Sequence, residues 1–131
     1  MKTLIVEDNF TIALLLQELL KSYGPSDIVG NGKEAVAAVR NAFFTADPYD
    51  LICLDIMMPE MDGHEALRQI RDQEEALGIL STNGVKIVMI SALDDVHNIM
   101  AAYYSLCDAY LTKPIIKAKL LEELRKLGLI N

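Results

Sequence analysis

Residues 51–63 read Leu51-Ile52-Cys53-Leu54-Asp55-Ile56-Met57-Met58-Pro59-Glu60-Met61-Asp62-Gly63. Four apolar residues run without alternation into an acid, and a turn-rich segment follows. A short run of this kind fits a strand buried on both faces, as in a parallel sheet covered by helices. Similar runs recur on either side. Lys2 to Val6 ends in Glu7-Asp8, and Lys86 to Ile90 ends in Ser91-Ala92. Asp27 to Val29 and Ala109 to Leu111 are shorter, and the second of these leads into Thr112-Lys113-Pro114.

Segments of helical period lie between the runs. Asn9 or Asp8 can cap a first helix whose apolar residues include Ile12, Leu15, Leu16, Leu19 and Leu20, ended by Gly24-Pro25. A second helix begins at Gly32, carries Ala35, Val36, Val39 and Phe43, and closes at Asp47-Pro48. A third carries Ala66, Leu67, Ile70 and Leu77 and gives way near Gly78, before the loop Ser81-Thr82-Asn83-Gly84. A fourth is expected from Val96 to about Leu106 and a last from about Ile116 to Leu127. Five strands alternating with five helices predict parallel strands, right-handed crossovers and a three-layer α/β sandwich.

The 131 residues suit one domain, expected over 1–131 with no output domain. A hydrophobic fraction of 52% excludes a disordered chain. Twelve basic against nineteen acidic side chains give a net charge of −7, which argues against direct nucleic-acid binding. Cys53 and Cys107 form no metal-ligand spacing with each other or with His64 and His97. Cys53, within an apolar run, reads most simply as a small buried hydrophobe, with a disulfide as the less favoured alternative. The apolar start is too short for an export signal and no stretch could span a bilayer, so a cytoplasmic location and no membrane contact are expected.

In a parallel sheet, ligands bind beyond the carboxyl ends of the strands, where the strand order reverses. Those ends carry Glu7-Asp8, Asp55, Ser91 and Lys113. If strands one and three are neighbours, as in the flavodoxin-like order 2-1-3-4-5, their ends lie about 4.8 Å apart. Glu7, Asp8 and Asp55 would then crowd, a cost that a hard divalent cation such as Mg²⁺ relieves. A metal beside a carboxylate, a lysine and a hydroxyl suits phosphoryl transfer, with a nucleophile and fixed positive charge for the phosphoryl oxygens.

Asp55-Ile56-Met57-Met58-Pro59-Glu60-Met61-Asp62-Gly63 closely resembles the phosphorylation loop of the CheY-like response-regulator receiver family. Glu7-Asp8, Ser91-Ala92 and Lys113-Pro114 fall at the family's other motif positions, so the likeness covers essentially the whole chain. The resemblance implies a flavodoxin-like (βα)5 sandwich and a receiver in two-component signal transduction. It makes Asp55 the phosphoacceptor, charged by a histidine kinase or histidine phosphotransfer protein. Glu7, Asp8 and Asp55 would hold Mg²⁺ with the Met57 carbonyl. Ser91 would bind a phosphoryl oxygen, and Lys113 would pair first with Asp55 and then with the phosphoryl group. Tyr110 would be the aromatic switch, and Val96, Ile99, Tyr103 and Tyr110 a partner face for an unidentified downstream protein. Pairing of two copies through that face is a further option.

Taken singly, these features have ordinary readings: Asp8 a helix cap, Asp55 a loop acid, Ser91 a cap, Lys113-Pro114 a turn, Tyr110 and the Val96-Ile99-Tyr103 face packing. Their meeting at one sheet edge favours the functional reading. Such a chain is not an enzyme in the usual sense, since it catalyses only its own phosphoryl transfer and dephosphorylation. Alternatives within the family are a receiver excised from a hybrid kinase or transcription regulator, or an unphosphorylated interaction module. A flavin carrier would want a Ser/Thr/Gly-rich loop after strand one, and a dehalogenase-type phosphatase a second aspartate where Met57 stands. Two departures from the family pattern are Leu106-Cys107, where Gly-Ala is usual, and a longer segment from Asp72 to Val85.

Overall fold

The computed structural model describes residues 1–56, 63–79, 84–91 and 106–131, the His64 side chain excepted. Its strands are β1 (Thr3–Val6), β2 (Ser26–Val29), β3 (Leu51–Asp55), β4 (Lys86–Ser91) and β5 (Ala109–Thr112). They form one parallel sheet in the order β2-β1-β3-β4-β5, as expected. The described helices are α1 (Phe10–Leu20), α2 (Gly32–Phe44), α3 (Gly63–Ala76) and α4 (Lys117–Lys126), with a 3-10 turn at Lys21–Tyr23. Thus α4 is the last of the five helices expected from the sequence. The helix expected from Val96 lies, but for its end at Leu106, outside the described residues.

Local chemistry sets the helix starts. Asn9 Oδ1 accepts from the Ile12 N–H at 3.2 Å, satisfying an otherwise orphaned donor in the first turn of α1. Asn31 Oδ1 accepts from the Glu34 N–H at 2.8 Å, and Glu34 reaches back to the Gly30 N–H at 3.3 Å. This reciprocal arrangement resembles a capping box. At Gly63 a Cβ would lie 2.6 Å from the Asp55 carbonyl oxygen, so only glycine lets α3 start against the end of β3.

The sheet separates two apolar layers. Leu4, Val6, Ile52 and Leu54 face α2 and α3, packing with Ala35, Val36, Val39, Ala66, Leu67 and Ile70. Ile5, Leu51, Cys53, Val88 and Ile90 face α1 and α4, packing with Ala13, Leu16, Leu20, Leu120 and Leu124. Every residue of β1 and β3 is buried, which is why those strands read as unbroken apolar runs. Each fully buried Leu, Ile or Val side chain contributes about 1.5–3 kcal/mol.

Two apolar residues fall elsewhere than the sequence pattern suggests. Leu15 is 45% exposed, because the buried face of α1 runs through Ala13, Leu16 and Leu20 and leaves its neighbour about 100° away. Leu77, beyond the end of α3, is 59% exposed. Cys53 is fully buried and Cys107 partly so, and neither is in a disulfide. No described helix is long and apolar enough to cross a membrane.

Candidate functional site

Strand register assembles the rim. Val6 pairs with Leu54, so the residues that follow, Glu7 and Asp55, emerge side by side. Asp55 pairs with Ile90, and Ser91 with Thr112, which brings Ser91 and Lys113 to the same edge. The Lys113 N–H donates to the Ser91 carbonyl at 2.7 Å, and the following Lys113–Pro114 peptide is cis. On the other side, the Ile56 N–H donates to the Ile90 carbonyl and the Gly63 N–H to the Ile56 carbonyl at 2.9 Å. The residues bounding 57–62 are therefore pinned to each other and to β4.

Glu7, Asp55 and Ser91 are buried, whereas Asp8 is exposed and opens the site to solvent. One carboxylate oxygen from each of Glu7, Asp8 and Asp55 lies within 4.8 Å of the others. Lys113 Nζ sits 3.4 Å from Glu7 Oε2 and 3.5 Å from Asp55 Oδ2. At that distance it is an ion pair rather than a good hydrogen bond, and the buried Glu7 Oε2 has no hydrogen-bond donor among the described residues. Glu7 Oε1 accepts from the Asn9 N–H at 3.1 Å.

The electrostatic consequence is clearest at Glu7. Burial, reinforced by the Asp55 carboxylate, pushes its pKa up to about 7 against the pull of the Asn9 N–H and of Lys113. A carboxyl group so disfavoured as an anion marks a place short of positive charge. The donor set is all oxygen, close-packed and incompletely satisfied, so it fits a hard divalent cation.

The rim thus brings together Glu7, Asp8, Asp55, Ser91 and Lys113, all found by reading the strand ends. Tyr110, in β5, is partly buried against the layer that holds α2 and α3. Met57, Val96, Ile99 and Tyr103 lie outside the described residues. Two features escape the sequence reading. Phe10, Leu14 and Leu15 on α1, immediately after the rim acids, are 68%, 43% and 45% exposed. The other is a charged cluster of Arg71, Glu74 and Asp108 at the opposite end of the sheet. The only sequence signal for it is the Arg71–Glu74 spacing, which on a helix face usually means a solvated pair.

Residues 3–125 match the profile described as the response regulator receiver domain. The two-component response regulator ORR41 of Oryza sativa subsp. japonica is 36% identical over 122 residues, covering 91% of this chain and 87% of that protein. Three further relatives are histidine kinases from rice and Dictyostelium discoideum, and the chain spans just 12%, 12% and 7% of their lengths. Among solved structures, the receiver domain of Ssk1 from Saccharomyces cerevisiae, crystallised with the histidine phosphotransfer protein Ypd1, is similar with a TM-score of 0.80. It is 30% identical, over 98% of this chain and 88% of that one. The receiver domain of the histidine kinase CKI1 from Arabidopsis thaliana, complexed with Mg²⁺ and BeF3⁻, has a TM-score of 0.79 and 28% identity. There the match covers 97% of this chain and 89% of that one.

Proposed function

The chain belongs to the response regulator receiver domains of two-component signal transduction, and from that premise we propose that Asp55 accepts a phosphoryl group from a phosphohistidine donor. The observation that carries the proposal is the rim itself: buried Asp55, 3.5 Å from Lys113 and crowded by Glu7 and Asp8. The donor is a histidine kinase or a histidine phosphotransfer protein. Phe10, Leu14 and Leu15, exposed beside the rim, offer it apolar contact.

Transfer is a displacement at phosphorus. An Asp55 carboxylate oxygen attacks, the P–N bond to the donor imidazole breaks with its electron pair returning to the ring, and an acyl phosphate forms. Mg²⁺, held by Glu7, Asp8 and Asp55, would supply positive charge to the phosphoryl oxygens. Lys113, 3.5 Å from Asp55, provides a second cation, and Ser91 a hydroxyl one strand away. The preorganised charges lower the cost of charge redistribution in the transition state. Nothing else is turned over, so the chemistry is confined to the chain's own phosphorylation and its reversal. A cytoplasmic location fits this reading.

Phosphorylation replaces a carboxylate with a group carrying about −1.5 to −2 charge. Lys113 can exchange its contact with Asp55 for the phosphoryl oxygens, and Ser91 gains a new acceptor. Both residues adjoin β5, so the change is felt at Tyr110 and at the face expected to include Val96, Ile99 and Tyr103. A partner that binds one arrangement better than the other reads the signal.

Intact mass after incubation with acetyl phosphate tests the reading. The parent should gain one phosphoryl group in the presence of Mg²⁺ and none in its absence, and Asp55→Asn should gain none in either. A metal-dependent gain by Asp55→Asn equal to the parent's would place the acceptor elsewhere.

A further inference from the structure

We propose that Arg71 is a positioning residue for Lys113, acting through β5 from the far end of the sheet. The inference rests on the phosphoacceptor reading above. Arg71 lies on α3, partly buried, and its guanidinium meets three separate segments. Nε donates to the Leu106 carbonyl at 2.8 Å. Nη1 donates to the Val85 carbonyl at 2.8 Å and to Glu74 Oε1 at 2.6 Å. Nη2 donates to Asp108 Oδ2 at 2.9 Å.

Each partner adjoins the start of a strand that reaches the rim. Glu74 Oε2 accepts from the Val85 N–H at 2.7 Å, fixing the entry to β4. Asp108 Oδ2 accepts from the Ile87 N–H at 2.8 Å, and the Asp108 N–H donates to the Ile87 carbonyl at 2.9 Å. A side-chain carboxylate therefore extends the β4–β5 ladder by one residue, and Arg71 holds that carboxylate. The planar guanidinium fork suits this task, because it fixes several acceptors in one geometry.

The arrangement matters because β5 is an edge strand. It pairs with β4 alone, over four residues, so no second strand among the described residues sets its axial position. Its lower pin is the Asp108–Ile87 pair that Arg71 holds in place, and its upper pin is the Lys113 N–H to Ser91 bond. Lys113 follows Asp108 by five residues, or about 17 Å of extended chain. The Lys113 contacts at 3.4 and 3.5 Å leave little room for axial drift. With the lower pin gone, the ammonium loses its fixed reach to Asp55 while β1, β3 and β4 keep theirs.

Acting through Lys113 and acting on general stability predict different couplings, which a double-mutant cycle separates. The rate of phosphoryl gain from acetyl phosphate with Mg²⁺ is measured for the parent, Arg71→Met, Lys113→Ala and the double variant, at a temperature where each is folded. Arg71→Met should slow the parent by about tenfold, a plausible cost for a displaced charge. It should slow Lys113→Ala by less than about twofold, the scatter expected where no coupling partner remains. Equal slowing in both backgrounds, or none in the parent, would overturn the proposal. If Arg71→Met does not fold, Arg71→Lys replaces it in the same cycle, because it keeps the charge beside Glu74 but cannot hold Leu106, Val85 and Asp108 together. A parent that gains no phosphoryl group at all would overturn the phosphoacceptor reading and this inference with it.

Discussion

The two ends of the sheet hold the same kinds of side chain, paired closely at one end and loosely at the other. At the amino-terminal end, acids meet cations at close range. Arg71 lies between Glu74 and Asp108, and Lys2 bonds Asp47 while its backbone N–H donates to Asp50. Even the Tyr49 hydroxyl donates to Asp27 at 2.7 Å. At the carboxyl-terminal end, Glu7 and Asp55 share the Lys113 ammonium at 3.4 and 3.5 Å, with the Asp8 carboxylate close by. The first end uses its charges to fix strand positions. The second leaves a deficit of positive charge, and that deficit is what a cation and a phosphoryl group can enter. Buried charge alone does not mark a site; unbalanced buried charge does.

The contrast can be broken by experiment. The largest effect is expected at the closely paired end. Glu74→Ala removes a buried ion pair and the acceptor for Val85, and should cost about 3 kcal/mol in urea unfolding. A loss below about 1 kcal/mol would mean the Arg71 cluster is not a fixed reference. Next comes the cation. Mg²⁺ at about a hundredfold its Kd should stabilise the parent by about 2.7 kcal/mol, and Asp55→Asn by clearly less.

Smaller, and opposite in sign to Glu74→Ala, is the loss of an acid at the rim. In metal-free buffer Asp55→Asn should stabilise the fold by about 1 kcal/mol, since function rather than stability keeps the acids together. Destabilisation there would sink the idea of a charge deficit. The subtlest effect is with pH. Glu7 has a folded pKa of about 7 against 4.5 for the ordinary group, so the folded state binds more protons between those values. Its contribution to stability is therefore fully present below about 4.5 and falls as pH rises to about 7. Glu7→Gln should flatten the metal-free profile across that window, as followed by thermal unfolding.

The rim was legible in the sequence because a parallel sheet delivers every strand's carboxyl end to one edge. The expected strand at 51–54 needs only Asp55 added, and Lys86–Ile90 only Ser91, so the acids and hydroxyl follow at once. Local spacing alone narrows the cap of α1 to Asn9 or Asp8, and the structure selects Asn9, whose partner Ile12 is three residues away. Arg71 could not be read this way. Its contacts to Leu106 and Asp108 span 35 and 37 residues, and helical period says nothing of such distances. Leu15 failed differently, since a run of leucines along α1 does not say which of them the core takes.

The buried thiol has a practical consequence. Cys53 lies at the centre of the sheet, fully covered, and burial pushes its pKa up to about 12. A thiolate is the reactive species, so native Cys53 is inert to alkylating reagents until β3 opens. Cys107 lies partly exposed near the start of β5, and its thiol pKa is also raised by burial, with Asp108 adding to it. The chain therefore carries two internal probes. Labelling of the partly exposed Cys107 reports the native state at the edge of the sheet, while labelling of Cys53, two residues from Asp55, times loss of the core.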